Sequence, residues 1–491
     1  MHRTLRNAGA VLAIALCPWP AAAQPTAERA AEIEIGLKGL IAEWARPFAG
    51  LVDLVFDGDI AVAPDRAGYR VWMPGGEVRA GGEVRMHYPA TDWVLTPADD
   101  AQVWISRDGR RGIELPSPDG PPPGTLSVGE ADWSALVDLE SAWLLAFDGR
   151  WQDMVQTAEP AIRTTVDVAT VSLSVSPGEA GVADVAGRLA YDNYQVTDQQ
   201  LGFSSTIGQF DMDWSVSGLD VAAIRGVLRS LAALAADAPG GPPEDEEILA
   251  VLRAMLTDTP PVFTESAFTY RQQASSYAMM GFSATFADLS GGCDMHGLAA
   301  DLSSGDCAFA MHGGTYALPL PGLADLLPTD GTSDIGMTDI PRSAMVDAIV
   351  AVIDTADTLG EEAAFAGAME ALGRAFADAG SEFVLRGFTM TAPAYSVSAT
   401  GSLRASATSP FGIEGEMTAL LGGLDDLERA LDGNLMIEDP TPVLQELREF
   451  GVEDVDSAGN PVLRFAFELS PDGIARVNGT DLGLPVPVPA Q

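Results

Sequence analysis

Hydrophobic positions follow two alternating regimes along this chain. Over residues 27–46, Ile33, Leu37, Leu40 and Trp44 recur at steps of four, three and four, the single apolar stripe of a helix that Pro47 ends. From about 51 to 217 the period falls to two. Val171, Leu173 and Val175 alternate with Ser172, Ser174 and Ser176, and Met212, Trp214 and Val216 with Asp213 and Ser215. That alternation predicts antiparallel strands with one buried and one solvated face. Gly/Pro clusters such as SPDGPPPG (117–124) punctuate them as turns.

Helical spacing returns at 219. Ile224, Val227, Leu231 and Leu234 form one stripe, APGGPPEDEE interrupts, and Ile248, Leu252 and Met255 begin another. Strand patterns follow in FTESAFTY and SYAMMGFSATF. The order then repeats: a helix through Met345, Ile349, Val352 and Ala356, a second through Phe365, Met369, Leu372 and Phe376, then SEFVLRGFTM and AYSVSATGSL, with Tyr395, Val397 and Ala399 facing one way. An internal duplication of 219–310 and 340–405 is therefore expected. Near the end, Met417, Leu420, Leu424, Leu427 and Leu431 share a helical face, and a short helix follows at 442–450. VLRFAFEL puts Leu463, Phe465, Phe467 and Leu469 on one side of a hairpin turned by Asp472-Gly473, and Asn478-Gly479 signals another turn. The expected class is α+β: extended antiparallel β-meanders with apolar helix pairs packed against them. The expected units are 1–23, a signal peptide; 24–217, a helix plus meander; 218–310 and 311–405, each a helix pair plus strands; and 406–491, helices and a hairpin.

The signal peptide rests on a basic head (Arg3, Arg6), the apolar run Ala8 to Leu16, and the A-x-A site Ala21-Ala22-Ala23 before Gln24. The run is too short to span a bilayer as a helix. Cleavage after Ala23 removes Cys17, where Leu16 already spoils a lipobox, and leaves an even cysteine pair. A periplasmic or secreted chain is expected. The run Ala344 to Leu359, broken by Asp347, Asp354 and Asp357, does not read as a membrane span. Apolar residues make up 47% of the chain, enough for real cores. There are 70 acidic residues against 27 basic, a formal net charge of −43, and Lys38 is the one lysine. Such a surface repels nucleic acid and anionic membranes, which require neutralising Lys and Arg.

The closing FAFELSPDGIARVNGTDL and the upstream GLDDLERAL carry a resemblance. Together with the leader, the first helix and the meanders broken by helix pairs, they resemble an alphaproteobacterial family of exported proteins of unknown function, distantly similar to the YdgA-like envelope proteins. The resemblance implies an envelope protein in which a curved β-sheet cradles helices. It brings no catalytic residues.

Candidate chemistry centres on GGCDMHGLAADLSSGDCAFAMH (291–312), whose spacing is C-x2-H-x10-C-x4-H. A zinc site usually pairs cysteines closely and histidines closely; here Cys293 and Cys307 each stand near a histidine, His296 and His312. Outside the cytoplasm two thiols in range oxidise, and strand–turn–strand brings the ends together. A structural Cys293–Cys307 disulfide is expected, worth about 3 kcal/mol, and no metal or cofactor. His87, His296 and His312 are the imidazoles of the processed chain, and GFSAT around Ser283 falls short of a G-x-S-x-G elbow. DVDSAGN (454–460) opens like a calcium loop with Asp454 and Asp456, but Ala458 and Phe465 stand where ligands belong; it reads as a turn, as does NGT at 478–480. No catalytic residue is singled out. The expected role is a non-enzymatic scaffold or binding protein of the cell envelope, with a lipid-like ligand or an envelope protein as its partner. A carboxylate-based hydrolase and a protein-interaction module are the alternatives.

Overall fold

The computed structural model describes residues 25–483, except 46–51, 67, 81–82, 99–101, 108–124, 142, 159–161, 225, 227–248, 250–252, 254–261, 320–321 and 433–439. The leader with Cys17 and Ala23, Pro47, the 117–124 turn and nearly all of the first expected helix pair, Ile224 apart, lie outside the described residues.

The α-helices with described bounds are α1 (Ala27–Ala45), α2 (Arg342–Leu359), α3 (Glu361–Ala379), α4 (Leu424–Asp432) and α5 (Thr441–Phe450). The first strands are β1 (Val52–Phe56), β2 (Ala61–Asp65), β3 (Gly68–Met73), β4 (Gly76–Ala80), β5 (Glu83–Tyr88), β6 (Thr91–Pro97), β7 (Gln102–Arg107), β8 (Thr125–Ser127) and β9 (Glu130–Asp138). Long strands follow: β10 (Trp143–Ala158), β11 (Ile162–Pro177), β12 (Val182–Asp198), β13 (Phe203–Asp220), β14 (Glu265–Met279), β15 (Phe282–His296) and β16 (Leu302–His312). Then come β17 (Thr315–Ala317), β18 (Asp330–Pro341), β19 (Glu382–Thr391), β20 (Ser396–Ala405) and β21 (Ile413–Gly422). The last are β22 (Val452–Val455), β23 (Pro461–Leu469), β24 (Ala475–Val477) and β25 (Thr480–Asp481).

β1, β4 and β5 form a small sheet of their own. The other strands make one antiparallel ladder. Its spine runs β2–β3–β6–β7–β9–β10–β11–β12–β13–β14–β15–β16–β18–β19–β20–β21–β23. Among the described residues no pairing joins β2 to β23, so the sheet is open. The ladder runs on across residues 217–218, 310–311 and 405–406, because β13 pairs β14, β16 pairs β18 and β20 pairs β21.

Residues directly opposite in an antiparallel pair share a face, so the register can be followed across the whole sheet. From Trp214 the partners toward one end are Gly187, Leu173, Phe147, Ala135, Ile105, Leu95 and Tyr69. Toward the other end they are Phe268, Cys293, Cys307, Ile335, Leu385, Gly401, Met417, Phe467 and Val477. The whole row is apolar or glycine. Two residues along, Val171, Leu189, Met212, Tyr270, Gly291, Phe309, Ser333, Phe388, Ala399 and Phe465 mark a second row. The opposite face is polar. There Arg188 pairs Asp211, Arg271 pairs Asp288, and Arg386 bridges Asp306 and Asp334.

One end of the apolar face is a closed core. Thr26 caps α1, its hydroxyl accepting the Arg29 N–H at 3.2 Å. Ile33, Leu37 and Leu40 then lie buried with Tyr69, Val71, Leu95, Val103, Ile105 and Val137. The expected α1 stripe is therefore observed, although the side chain of Trp44 lies outside the described residues. Beyond α1 the rows open. Phe268 and Phe309 are 37% exposed, Met295 39% and Phe467 41%. α2 and α3 adjoin one another, α3 approaches β18 and β20, and Ala348, Ala364 and Ala368 are buried. Met345, Ile349, Phe365 and Met369 point outward. The stripe expected over 417–431 divides: Ile413–Gly422 is a strand and the helix starts at Leu424. Met417 and Leu421 face one side of that strand and Leu420 the other, which imitates helical spacing. Leu463, Phe465, Phe467 and Leu469 do share a face of β23. Asn478 and Gly479 both take positive φ (49° and 80°) in the β24–β25 turn, as a two-residue hairpin requires.

A crease crosses the long strands at one level. Asp153 (φ 51°) in β10, Asn193 (φ 53°) in β12 and Ala274 (φ 49°) in β14 adopt left-handed backbone, and Gly313 (φ 64°) continues the line after β16. Asp167, Gly208 and Ala287 stand between them on the intervening strands, where the pairing skips one position on each side. The left-handed residues shift the inside–outside alternation by one. Tyr191 and Tyr194, three apart, therefore meet with ring centroids 5.2 Å apart, and Gln272 donates to the hydroxyl of Tyr277, five residues on. Ile207, Ser275 and Ala284 are buried just past the crease.

Two stability tests follow. Ile33→Ala, removing a side chain with no exposure, should cost about 2–5 kcal/mol in urea unfolding. Asn193→Val forces a β-branched residue to positive φ and removes the Nδ2 donation to Asp167 at 2.8 Å. It should cost about 1–3 kcal/mol, whereas Asn193→Gly should stay within about 1 kcal/mol.

Candidate functional site

The cysteine–histidine segment resolves into two faces. β15 and β16 make a hairpin in which Cys293 and Cys307 are direct ladder partners, their Cα atoms 4.1 Å apart and their Sγ atoms at disulfide distance, 2.15 Å. His296 lies three positions from Cys293 and His312 five from Cys307. On strands an odd separation puts two side chains on opposite faces. The cysteines join the apolar row, while both histidines stand on the polar face. His312 Nδ1 lies 3.4 Å from Asp330, and His296 Nδ1 3.9 Å from Glu265. The four groups that the spacing brought together in sequence do not converge.

The other sequence candidates are also placed. His87 Nδ1 faces Glu77 at 3.6 Å. Ser283 sits within the ladder, opposite Ala278 and Ala317. Asp456 Oδ1 accepts the N–H groups of Ala458 and Asn460, and its Oδ2 the Asn460 amide. Those bonds, the Asn460 side chain first, hold its carboxyl below the usual range. Asp454 lies 3.2 Å from Arg464. Asn478 donates its amide to the carbonyls of Phe450 and Arg464 and accepts the Ala466 N–H. Both segments are turns, stapled by their own polar side chains.

Clefts open on both faces of the sheet. On the polar face Asp132, Asp148, Arg150 and Arg188 surround an opening of about 620 Å³. It mixes both signs of charge, with Arg150 directly opposite Asp132 in the ladder, and presents no nucleophile poised against a base. The second lies on the apolar face. Tyr270, Leu289, Phe309, Met311, Phe388 and Met390 line about 330 Å³ over Gly331 and Ser333, with Pro328 beside them. Register alone assembles it: Tyr270–Gly291–Phe309–Ser333–Phe388 are successive partners, and so are Leu289–Met311–Gly331–Met390. The small residues between the large ones create the hollow. A Cβ at Gly291 would collide with the rings of Phe309 and Tyr270, so glycine there lets both rings lie close to the sheet. Sequence reading missed these six residues. Their alternation was visible in CAFAMH and GFTMT, but the partner strands could not be read from it.

The apolar face also perturbs a titration. Tyr191 stacks on Phe210 with centroids 4.6 Å apart. Burial, then the neighbouring phenols Tyr194 and Tyr277, pushes its pKa up to about 12. On the polar face the Gly313 N–H, with Thr329 and His312, holds the Asp330 carboxyl below the usual carboxylate range.

No family model, no curated protein and no solved structure matches the chain.

A titration checks the environment of this face. A phenol in the unfolded chain ionises near pH ~10, below Tyr191 in the folded protein. Its contribution to stability is thus complete below pH ~10 and lost as pH rises toward 12. The ultraviolet difference between wild type and Tyr191→Phe should show a tyrosine ionising near 12, and the variant should lose less stability between those values.

Proposed function

We propose that this chain is an exported, non-enzymatic envelope protein that holds an apolar, lipid-like ligand against the apolar face of its sheet. The observation that carries the reading is the extent of that face. From β10 to β23 twelve strands contribute two aligned rows of mostly apolar residues, in which Phe268, Phe309 and Phe467 are 37%, 37% and 41% exposed. Large apolar side chains left exposed along one face of a sheet are the signature of a binding surface.

Several features support the setting. The N-terminal residues have the order of a secretory leader, the cysteine pair is at disulfide distance, and such bonds persist outside the cytoplasm. Among the described residues no helix is long and apolar enough to cross a membrane. The cleft is lined by strands and Pro328.

Met345, Ile349, Phe365 and Met369, all more than 40% exposed on α2 and α3, favour a second reading, in which that hairpin docks a protein partner.

Native mass spectrometry of the processed protein, purified from the envelope without detergent, separates the two. Ligand carriage predicts added non-covalent mass, of lipid size, lost on denaturation. A bare mass, or one increased by a polypeptide, would contradict it.

A further inference from the structure

Beyond the ligand reading, and independent of it, we infer that the β12–β13 and β14–β15 hairpin tips insert into the surface of a lipid bilayer without net charge. Turn chemistry gives the first indication. Met280 and Gly281 both take positive φ (50° and 84°) between β14 and β15, the same two-residue geometry that Asn478 and Gly479 fill between β24 and β25. Asparagine suits the first position, whereas methionine stands there in left-handed backbone with no polar side chain to support it. The Met280 side chain is 77% exposed, and Met279 beside it is half-exposed. The neighbouring tip shows the same choice. Asp198 Oδ1 accepts the N–H groups of Gln200 and Leu201 at 2.8 and 3.0 Å, which holds the turn and leaves Leu201 56% exposed. Register sets both tips at one level, because Ile162, Asp198, Phe203, Met279 and Phe282 are successive ladder partners.

Charge gives the second indication. Residues 199–210 and 272–287 include no charged side chain, in a chain where 20% of residues are charged. Successive residues of a strand face opposite sides, so β13, β14 and β15 are uncharged on both faces from the crease to the tips. On the polar face the change falls at the crease itself. To one side of it Arg188 pairs Asp211 and Arg271 pairs Asp288. To the other, the hydroxyls of Thr206 and Ser276 share a hydrogen bond, as do those of Thr285 and Thr315. Paired hydroxyls lose far less than ions when water is removed. A docking protein would touch the tips and one face. A bilayer meets the tips and both faces together, and it receives each projecting side chain without a shaped pocket. Arg163 and Asp198, one charge of each sign, flank the tips. A zwitterionic surface is matched there, while an anionic one is repelled by the chain's net charge of −43.

The test is flotation of the full processed chain with phosphatidylcholine vesicles, with which the wild type should float. Met280→Asn and Leu201→Ser should each lower the partition coefficient about 10-fold, the order expected for withdrawing one such side chain from hydrocarbon. Leu302→Ser, at an exposed position on the opposite end of the sheet, should leave it unchanged. Thermal melting separates this from a structural role. Asparagine suits left-handed backbone, so Met280→Asn should hold or raise the melting temperature while it weakens flotation. A wild type that stays in the aqueous fraction would overturn the inference and leave the ligand reading standing. Binding that requires anionic lipid would also overturn it. So would flotation lost in Phe365→Ser but kept in Met280→Asn, which would move the contact to α2 and α3. A wild-type dimer in sedimentation that Met280→Asn converts to monomer would overturn it in favour of a second copy of the chain at the tips.

Discussion

Cross-strand register is the constraint on which the rest of this molecule depends. Seventeen strands pair in a single antiparallel spine. Side chains alternate with a period of two, so a slip of one residue in any strand would turn that strand's apolar set outward. The row from Tyr69 to Val477 shows that no such slip persists. The crease is the exception that preserves the rule. Asp153, Asn193 and Ala274 each shift the alternation by one, and they do so at the same level of the sheet. Apolar side chains therefore stay on one face on both sides of the bend.

That constraint accounts for both the core and the opening. Where α1 covers the rows, Leu95 and Val71 are fully buried and the face is a conventional core. Where no described element covers them, the same rows continue as partly exposed rings and methionines. Aromatic contacts run from Trp93 through Trp133 and Phe147 to Trp151, leading from the covered region into the open one. The disulfide belongs to this plan. It joins two strands already paired and replaces two thiols in the middle of the apolar row with a cross-link of the same polarity.

Much of this could be read from sequence. The stripe of α1, the alternation in β11 and β13, the hairpin of β23 and the Asn478-Gly479 turn each follow from a local pattern of residues. The crease was also written there, as Tyr191-x-x-Tyr194, Ile207-x-x-Phe210 and Phe286-x-x-Leu289, where a period of two skips. Likewise the odd spacings Cys293 to His296 and Cys307 to His312 put the cysteines and histidines on opposite faces once both segments are strands. The strand at 413–422 was misassigned because apolar residues on both of its faces match a helical step as well as an extended one. The cleft was the least legible part. Tyr270, Phe309 and Phe388 lie far apart in the chain, and only the strand order brings them into one row.

The most direct measurement is photo-cross-linking with a diazirine-bearing alkyl phosphocholine, followed by mapping of the adducts residue by residue. An apolar face that receives the ligand predicts adducts on Tyr270, Phe309 and Phe388. Their sequence neighbours Arg271, Ala308 and Gly387, outside the cleft's lining, should remain unlabelled. Equal labelling of both sets, or labelling confined to α2 and α3, would contradict the account.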